Sequence, residues 1–348
     1  MKFRHLVVTA ALAMGIAQSA SALNIVLTND DSWHTDNIQI LFDKLEAAGH
    51  DVVMSAPCAE QSGKSGSMGA IAKPMPVDRS LISEDKACVG ETDTSIAYED
   101  FSEGTPVSAA LYGIDVLAQE KWGQNPDLVI SGPNTGNNLG AMTIHSGTLG
   151  ATNVSIARGV PAIAVSAATS DADNAVLVAD VVVDIVAELV KKQKEGEPVL
   201  PLFTGLNVNT PEDMVNHKGY KFTRVGWYAQ YEMAFTDDLS SNDAIMGYVA
   251  QGLMAAGYAP DFETAMAMAR GMYAGQAGLS VNIPENPLDT NEDSEGHAWE
   301  EGYITISTIE ANVQASLLKT VIAQKKLKAL VKGKKDKKKK RKHDEDDD

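Results

Sequence analysis

Between Leu23 and about Ser170 the chain alternates short apolar runs, rich in β-branched residues, with stretches whose apolar residues recur at helical spacing. This alternation restricts the fold more than any other feature. Asn24 to Thr28 reads as a strand. Asp36 to Ala48, with Ile38, Ile40, Leu41 and Leu45 near one face, reads as a helix that Gly49 stops, and Asp51 to Ala56 as the next strand. A second unit runs through a helix from Thr105 to Lys121 with Pro106 in its first turn, a buried strand from Asp127 to Ser131, a helix from Thr148 to Arg158 and a strand from Ala162 to Ser166. Asp173 to Lys192 continues as a helix and Leu202 to Val208 as a strand. Strands joined through helices run parallel, and a parallel sheet is covered on both faces. The expected fold is therefore α/β: a three-layer, Rossmann-like, mostly parallel sheet with helices on both faces, plus a C-terminal helical or hairpin extension.

After Trp227 the pattern changes. Met246 to Gly278 is rich in Ala, Met and Gly and reads as helical, interrupted at Gly252, Gly257 and Gly271. The acid-rich loop Asp289 to Glu295 leads to Gly302 to Ile309, which alternates like a strand. The expected organisation is a leader over 1–22, an α/β core over 23–228, and a helical insertion or oligomerisation region over 229–299. A returning strand over 300–318 and a charged, disordered tail over 319–348 complete it.

Lys2, Arg4 and His5 precede the apolar stretch Leu6 to Ala17, and Ala20-Ser21-Ala22 matches a small-residue cleavage site. Export to the periplasm or beyond, with cleavage after Ala22, is expected. An oxidising compartment permits a disulfide between Cys58 and Cys88, the only two cysteines, with a pair of buried thiols as the alternative. The formal charge of −18 gives the body no footprint for duplex nucleic acid. The tail, with Lys337 to Lys342 followed by Asp344 to Asp348, is either a solubilising extension or a weak contact for polyanions.

Three loops follow successive strands on one sheet edge. Thr28-Asn29-Asp30-Asp31 ends the first strand with two adjacent carboxylates, which a divalent cation would neutralise; an Asx turn is the local alternative. Gln61 to Ser67 is rich in Ser and Gly but lacks Walker spacing. Ser131 to Gly140 is dense in amides and glycines, and Ser146-Gly147-Thr148 opens a helix, where hydroxyls and amides suit an anion.

In order and spacing these segments resemble the SurE family of metal-dependent 5′/3′-nucleotidases. The resemblance is carried by Leu27 to Asp31, Gln61-Ser62-Gly63, Glu103 to Pro106, Pro126 to Gly132, Asn134, Gly136, Asn138 to Gly140, Ser146 to Thr148 and Gly159 to Ser166. Leu206 to Pro211 and Gly302 to Ile306 look like later motifs of that family. The resemblance implies metal ligation by Asp30, Asp31, Ser62 and Asn134, with Mg²⁺ or Mn²⁺ suited to so hard a donor set. It implies phosphate contacts from Asn29, Asn138, Ser146, Gly147 and Thr148, and catalytic roles for Asp30, Asp31 and Asn138. The implied activity is hydrolysis of nucleoside 5′-monophosphates, with 3′-monophosphates as a further substrate, in a homodimer or larger assembly. A periplasmic nucleotide- or phosphate-binding protein with lost turnover is the alternative. Ser32, where the family usually carries Gly, and Pro133, which removes an amide donor before Asn134, are departures that favour that alternative. His145 stands where an aromatic residue is common and reads either as packed or as a substrate contact.

Overall fold

The structure, a computed structural model, describes residues 22–343 except 70, 82, 98, 169–170 and 284–288, with side chains as far as 331. The leader expected over 1–22 lies, but for Ala22, outside the described residues. The chain divides into two compact units at Glu310/Ala311.

In the first unit β1 (Asn24–Thr28), α1 (Asp36–Ala47) and β2 (Asp51–Pro57) form the expected βαβ unit. Two short strands follow, β3 (Val77–Asp78) and β4 (Lys86–Val89). A continuous helical stretch comes next: α2 (Pro106–Tyr112), a π-helical turn over Gly113–Leu117 and α3 (Ala118–Trp122). Thr105 caps it, its side chain accepting from the Ser108 amide, with Pro106 in the first turn. Then come β5 (Leu128–Thr135), a 3-10 helix over Gly140–His145, α4 (Gly147–Ala157), β6 (Ala162–Ala167), α5 (Ala172–Lys192), β7 (Thr204–Asn209) and β8 (Tyr220–Thr223).

These strands and β11 (Ile304–Glu310) build one nine-stranded sheet in the order β3-β4-β2-β1-β5-β6-β7-β11-β8. It is mostly parallel; β3 runs antiparallel to β4, and β11 antiparallel to β7. Helices α1 and α5 pack together on one face, α2 and α4 on the other. Ile38, Leu41 and Leu45 form the fully buried stripe of α1 against Ile25, Leu27 and Met54. That stripe is the periodicity legible in the sequence, and each such side chain contributes about 1.5–3 kcal/mol by leaving water.

The strand order reverses between β1 and β5, because β2 and β4 extend the sheet to one side of β1 and β5 to β7 to the other. Loops leaving the carboxyl ends of two such strands part and leave a crevice between them. Across it Thr28 pairs in register with Ser131.

The region after residue 229 is less helical than its composition suggests. Helices α6 (Asp243–Ala255) and α7 (Phe262–Tyr273) form a packed pair, but β9 (Glu232–Thr236) and β10 (Gly278–Asn282) flank them as an antiparallel two-stranded ribbon. The acid-rich loop ends inside α8 (Glu295–Glu300). In the second unit Leu317–His343 forms α9, a helix where the charge run had suggested an unstructured tail. No helix among the described residues is long and apolar enough to cross a membrane.

Candidate functional site

Asp30 and Asp31 follow β1 directly and are nearly withdrawn from water, at 3% and 9% exposure. Burial is the first cause that pushes Asp30 up to about 7, and Asp31 and Glu60 raise it further, while a hydrogen bond from Thr148 pulls it down. Burial also pushes Asp31 up to about 6, against hydrogen bonds from Thr135. Two buried carboxylates side by side resist ionisation unless positive charge is brought to them. Among the described residues no lysine, arginine or histidine is ion-paired to either acid.

Each acid is held from a different element, one a strand and the other a helix. The Thr135 amide at the end of β5 donates to Asp31 Oδ2 at 2.5 Å, and Thr148 Oγ1 in α4 donates to Asp30 Oδ1 at 2.7 Å. A Cβ on Gly147 would lie 2.8 Å from Asp30 Cβ and Oδ2 and 2.9 Å from Pro106 Cγ, so only glycine lets the helix start close over the carboxylate. The pairing of β5 with β6 shifts register between Ser131 and Asn134, a bulge that spans Pro133. Pro133 therefore lacks its amide where the ladder is already interrupted. Asn134 Nδ2 donates to the Gly136 carbonyl at 2.6 Å, whereas its buried Oδ1 has no partner.

The Ser/Gly segment is tied down by hydrogen bonds and an ion pair. Gln61 donates its amide to the Asp30 carbonyl at 2.8 Å, Ser65 Oγ donates to the Ile144 carbonyl at 2.7 Å, and Lys64 pairs with Glu103 at 2.6 Å. Ser62 is exposed, and its amide donates to Glu60 Oε1 at 2.6 Å. Ser32 adopts φ of 85°, a conformation that favours glycine; its Oγ lies 2.5 Å from His34 Nδ1, and Asn29 Nδ2 donates to its carbonyl at 2.8 Å. Both departures from the family pattern are thus accommodated locally.

Ser146 caps α4 by accepting from the Leu149 amide at 3.1 Å, and the Gly150 amide bonds the Ser146 carbonyl. The Gly147 and Thr148 amides are left as first-turn donors with no acceptor inside the helix, at its positive end. Ser146 keeps its own hydroxyl proton to give, but Thr148 has spent its proton on Asp30. Asn138 gives one amide hydrogen to Ser166 Oγ at 2.9 Å and one to Thr148 Oγ1 at 3.3 Å, the place of a brace rather than of a phosphate donor. His145 is exposed.

These residues suit a hard cation. Two carboxylates without a counter-charge, the orphaned Asn134 oxygen and the Ser62 hydroxyl on the adjoining loop supply oxygen donors only. Among the described residues no group of three or more His, Cys, Asp or Glu forms a metal cluster. The set depends on neutral oxygens to complete it.

Sequence reasoning missed several members. Glu60 acts on both acids through space, and Gln61, whose amide bonds the Asp30 carbonyl, buries an unpartnered Oε1. Asn207 and Asn209, at alternate positions of β7, hold Asn138: Asn207 Nδ2 and Asn209 Nδ2 donate to its carbonyl, and its amide donates to Asn209 Oδ1. Glu295 is fully buried, and burial pushes its carboxyl up to about 8 against hydrogen bonds from Ser307, Gly140 and Asn207. The alternating asparagines within an apolar strand were a readable signal; nothing local marked Glu295.

The sequence model of the family described as survival protein SurE matches residues 25–232, more than half of the chain. The chain belongs to the SurE family. The SurE match spans both acids, the Ser/Gly loop, the bulge and the start of α4. An acid phosphatase of Yarrowia lipolytica is 38% identical over 214 residues, covering 55% of this chain and 57% of that protein. The 5′-nucleotidase SurE of Thermosipho melanesiensis is 32% identical over 204 residues, covering 58% of this chain and 71% of the relative. The crystal structure of the SurE protein from Aquifex aeolicus superposes with a TM-score of 0.60 at 25% identity, covering 88% of this chain and 99% of that one. This SurE chain therefore shares the α/β fold beyond the aligned core.

Proposed function

We propose that this SurE-family chain is an exported, divalent-cation-dependent phosphomonoesterase that hydrolyses nucleoside 5′-monophosphates to nucleoside and phosphate. The relatives named 5′-nucleotidase and acid phosphatase support the reaction class. One observation carries the reading: of two buried, uncompensated carboxylates Asp30 lies against the open first turn of α4, and the end of β5, which holds Asp31, carries the orphaned Asn134 oxygen. A cation site and an anion site thus adjoin, the arrangement that phosphate transfer from a monoester needs. The leader pattern, with the disulfide between Cys58 and Cys88, supports export.

Asp30, Asp31, Asn134 and Ser62 would hold the cation. The chemistry such an ion supplies is polarisation of a phosphoryl oxygen and a lowered pKa for attacking water. The chain's own part is positional. The Gly147 and Thr148 amides and the Ser146 hydroxyl receive the phosphate oxygens, Thr148 fixes Asp30, and the Thr135 amide fixes Asp31. Water attacks phosphorus, the ester P–O bond breaks, and the proton that the water gives up balances the one that the leaving nucleoside oxygen takes. A carboxylate that holds the cation would be a poorer nucleophile than a free one, which favours water as the attacking group over Asp30.

A phosphate-release screen with AMP and other 5′- and 3′-monophosphates, under Mg²⁺ and Mn²⁺, tests the proposal. Cation-dependent release that Asp30→Asn and Asp31→Asn abolish supports it. Nucleotide-stabilised melting without release would favour the binding-protein reading instead.

A further inference from the structure

Glu295 lies at the start of α8, far along the chain from Asp30, and its side chain has no access to solvent. Every hydrogen bond to its carboxylate comes from elsewhere in the fold. Oε1 accepts from the Gly140 amide and from Asn207 Nδ2, both at 3.0 Å; Oε2 accepts from Asn207 Nδ2 at 3.0 Å and from Ser307 Oγ at 2.7 Å. Asn207 spends its other amide hydrogen on the Asn138 carbonyl at 3.0 Å. Asn138 Nδ2 then reaches Thr148 Oγ1 at 3.3 Å, and Thr148 Oγ1 donates to Asp30 Oδ1 at 2.7 Å. The path Glu295–Asn207–Asn138–Thr148–Asp30 is buried at every member.

We propose that Glu295 is a positioning residue for Asp30: it fixes Asn138 and Gly140 at the two ends of one short segment, and through them the Thr148 hydroxyl that orients the carboxylate. It touches no reacting atom. The segment it pins continues through the 3-10 helix to the Ser146 cap. The inference rests on the proposed role of Asp30. A buried acid kept only for packing would show no preference for atoms that lead to the site. Here three of its four contacts go to Gly140 and to the Asn207 amide that also holds Asn138.

The test uses the full-length protein and Glu295→Ala, Glu295→Gln, Asn207→Ala and Thr148→Val, read by AMP hydrolysis and by calorimetric titration with Mn²⁺ alone. Supporting partners of metal ligands typically contribute about 10–100-fold. Glu295→Ala is expected to lower kcat by about that factor with KM little changed, and to weaken Mn²⁺ binding by about tenfold. Glu295→Gln should restore most of both, because Ser307 can rotate to accept from the new amide while Oε1 still accepts from Gly140 and Asn207. Adding Glu295→Ala to Thr148→Val should cost nothing further in kcat, the non-additivity of residues acting along one path. If Glu295→Ala does not fold, Asn207→Ala replaces it in the same cycle. Additive losses, or unchanged kcat and Mn²⁺ affinity in folded Glu295→Ala or Asn207→Ala, would overturn the proposal. A parent protein that binds Mn²⁺ but releases no phosphate would contradict the proposed function alone, and the calorimetric comparison then decides the positioning role.

Discussion

At the scale of single residues the site is made by what the two acids lack. Asp30 and Asp31 are buried beside each other without a cationic side chain, so their carboxyls sit near 7 and 6 instead of the ordinary 3.8. A folded-state pKa above the unfolded value means the native state binds extra protons. In metal-free protein, stability from these groups is therefore full below about 4 and declines as pH rises through 6 to 7. A cation competes with those protons, so Mn²⁺ affinity should rise about tenfold or more per pH unit up to about 6–7 and then level off. Calorimetry from pH 5 to 8 checks the slope; affinity independent of pH would place the cation elsewhere. Gly147 sets a second residue-scale test. Gly147→Ala forces a methyl group against Asp30 and Pro106, so it should cost about 1–3 kcal/mol in thermal unfolding and at least tenfold in kcat. A fully active, equally stable variant would show that the helix start does not bear on the acid.

At the scale of elements, the α4 N-terminus is the piece that makes a cation crevice useful for phosphate. Ser146 is the one hydroxyl there with a proton still to give, so Ser146→Ala should weaken inhibition by inorganic phosphate several-fold, whereas Thr148→Ala should act on cation affinity instead. Equal phosphate inhibition in parent and Ser146→Ala would move the anion contact to the backbone amides alone. The disulfide ties the end of β2, from which the Ser62 loop leaves, to the middle of β4. Closing a loop of this size contributes about 3 kcal/mol, so Cys58→Ser with Cys88→Ser should lower Tm by about 6–12 °C by scanning calorimetry. The long elements were legible in the sequence either as unbroken apolar runs or as apolar residues at helical spacing: β1, α1, β2, β5, α4, β6, α5 and β11 all fall within a few residues of expectation. The two-residue β3 and four-residue β4 are too short to carry a period, and the alternation of Glu232 to Thr236 was hidden in a segment whose composition favours helix.

At the scale of the whole molecule the site exists because the chain returns across the sheet between β1 and β5. The loop after β1 supplies the acids and the end of β5 supplies Asn134, with the loop after β2 and the start of α4 beside them. That much followed from the order of motifs, since ligands gather beyond the carboxyl ends of strands at such a reversal. What did not follow is the support behind the site. Glu295 reaches Asn138 only because β11 inserts antiparallel beside β7, which brings the end of the sheet-forming chain back to its middle, and no local pattern announces a contact between residues so far apart. The departures at Ser32 and Pro133 were visible as letters, but their outcome depended on a histidine two positions on and on a bulge in β5.

The central claim is that Asp30, beside the open turn of α4, works with a divalent cation to release phosphate. The most direct measurement is the rate of phosphate release from AMP, with and without Mn²⁺, by the parent and by folded Asp30→Asn. Release by the parent that needs Mn²⁺ and is lost in Asp30→Asn is the predicted result; release that is independent of the cation, or fully retained in Asp30→Asn, would contradict it.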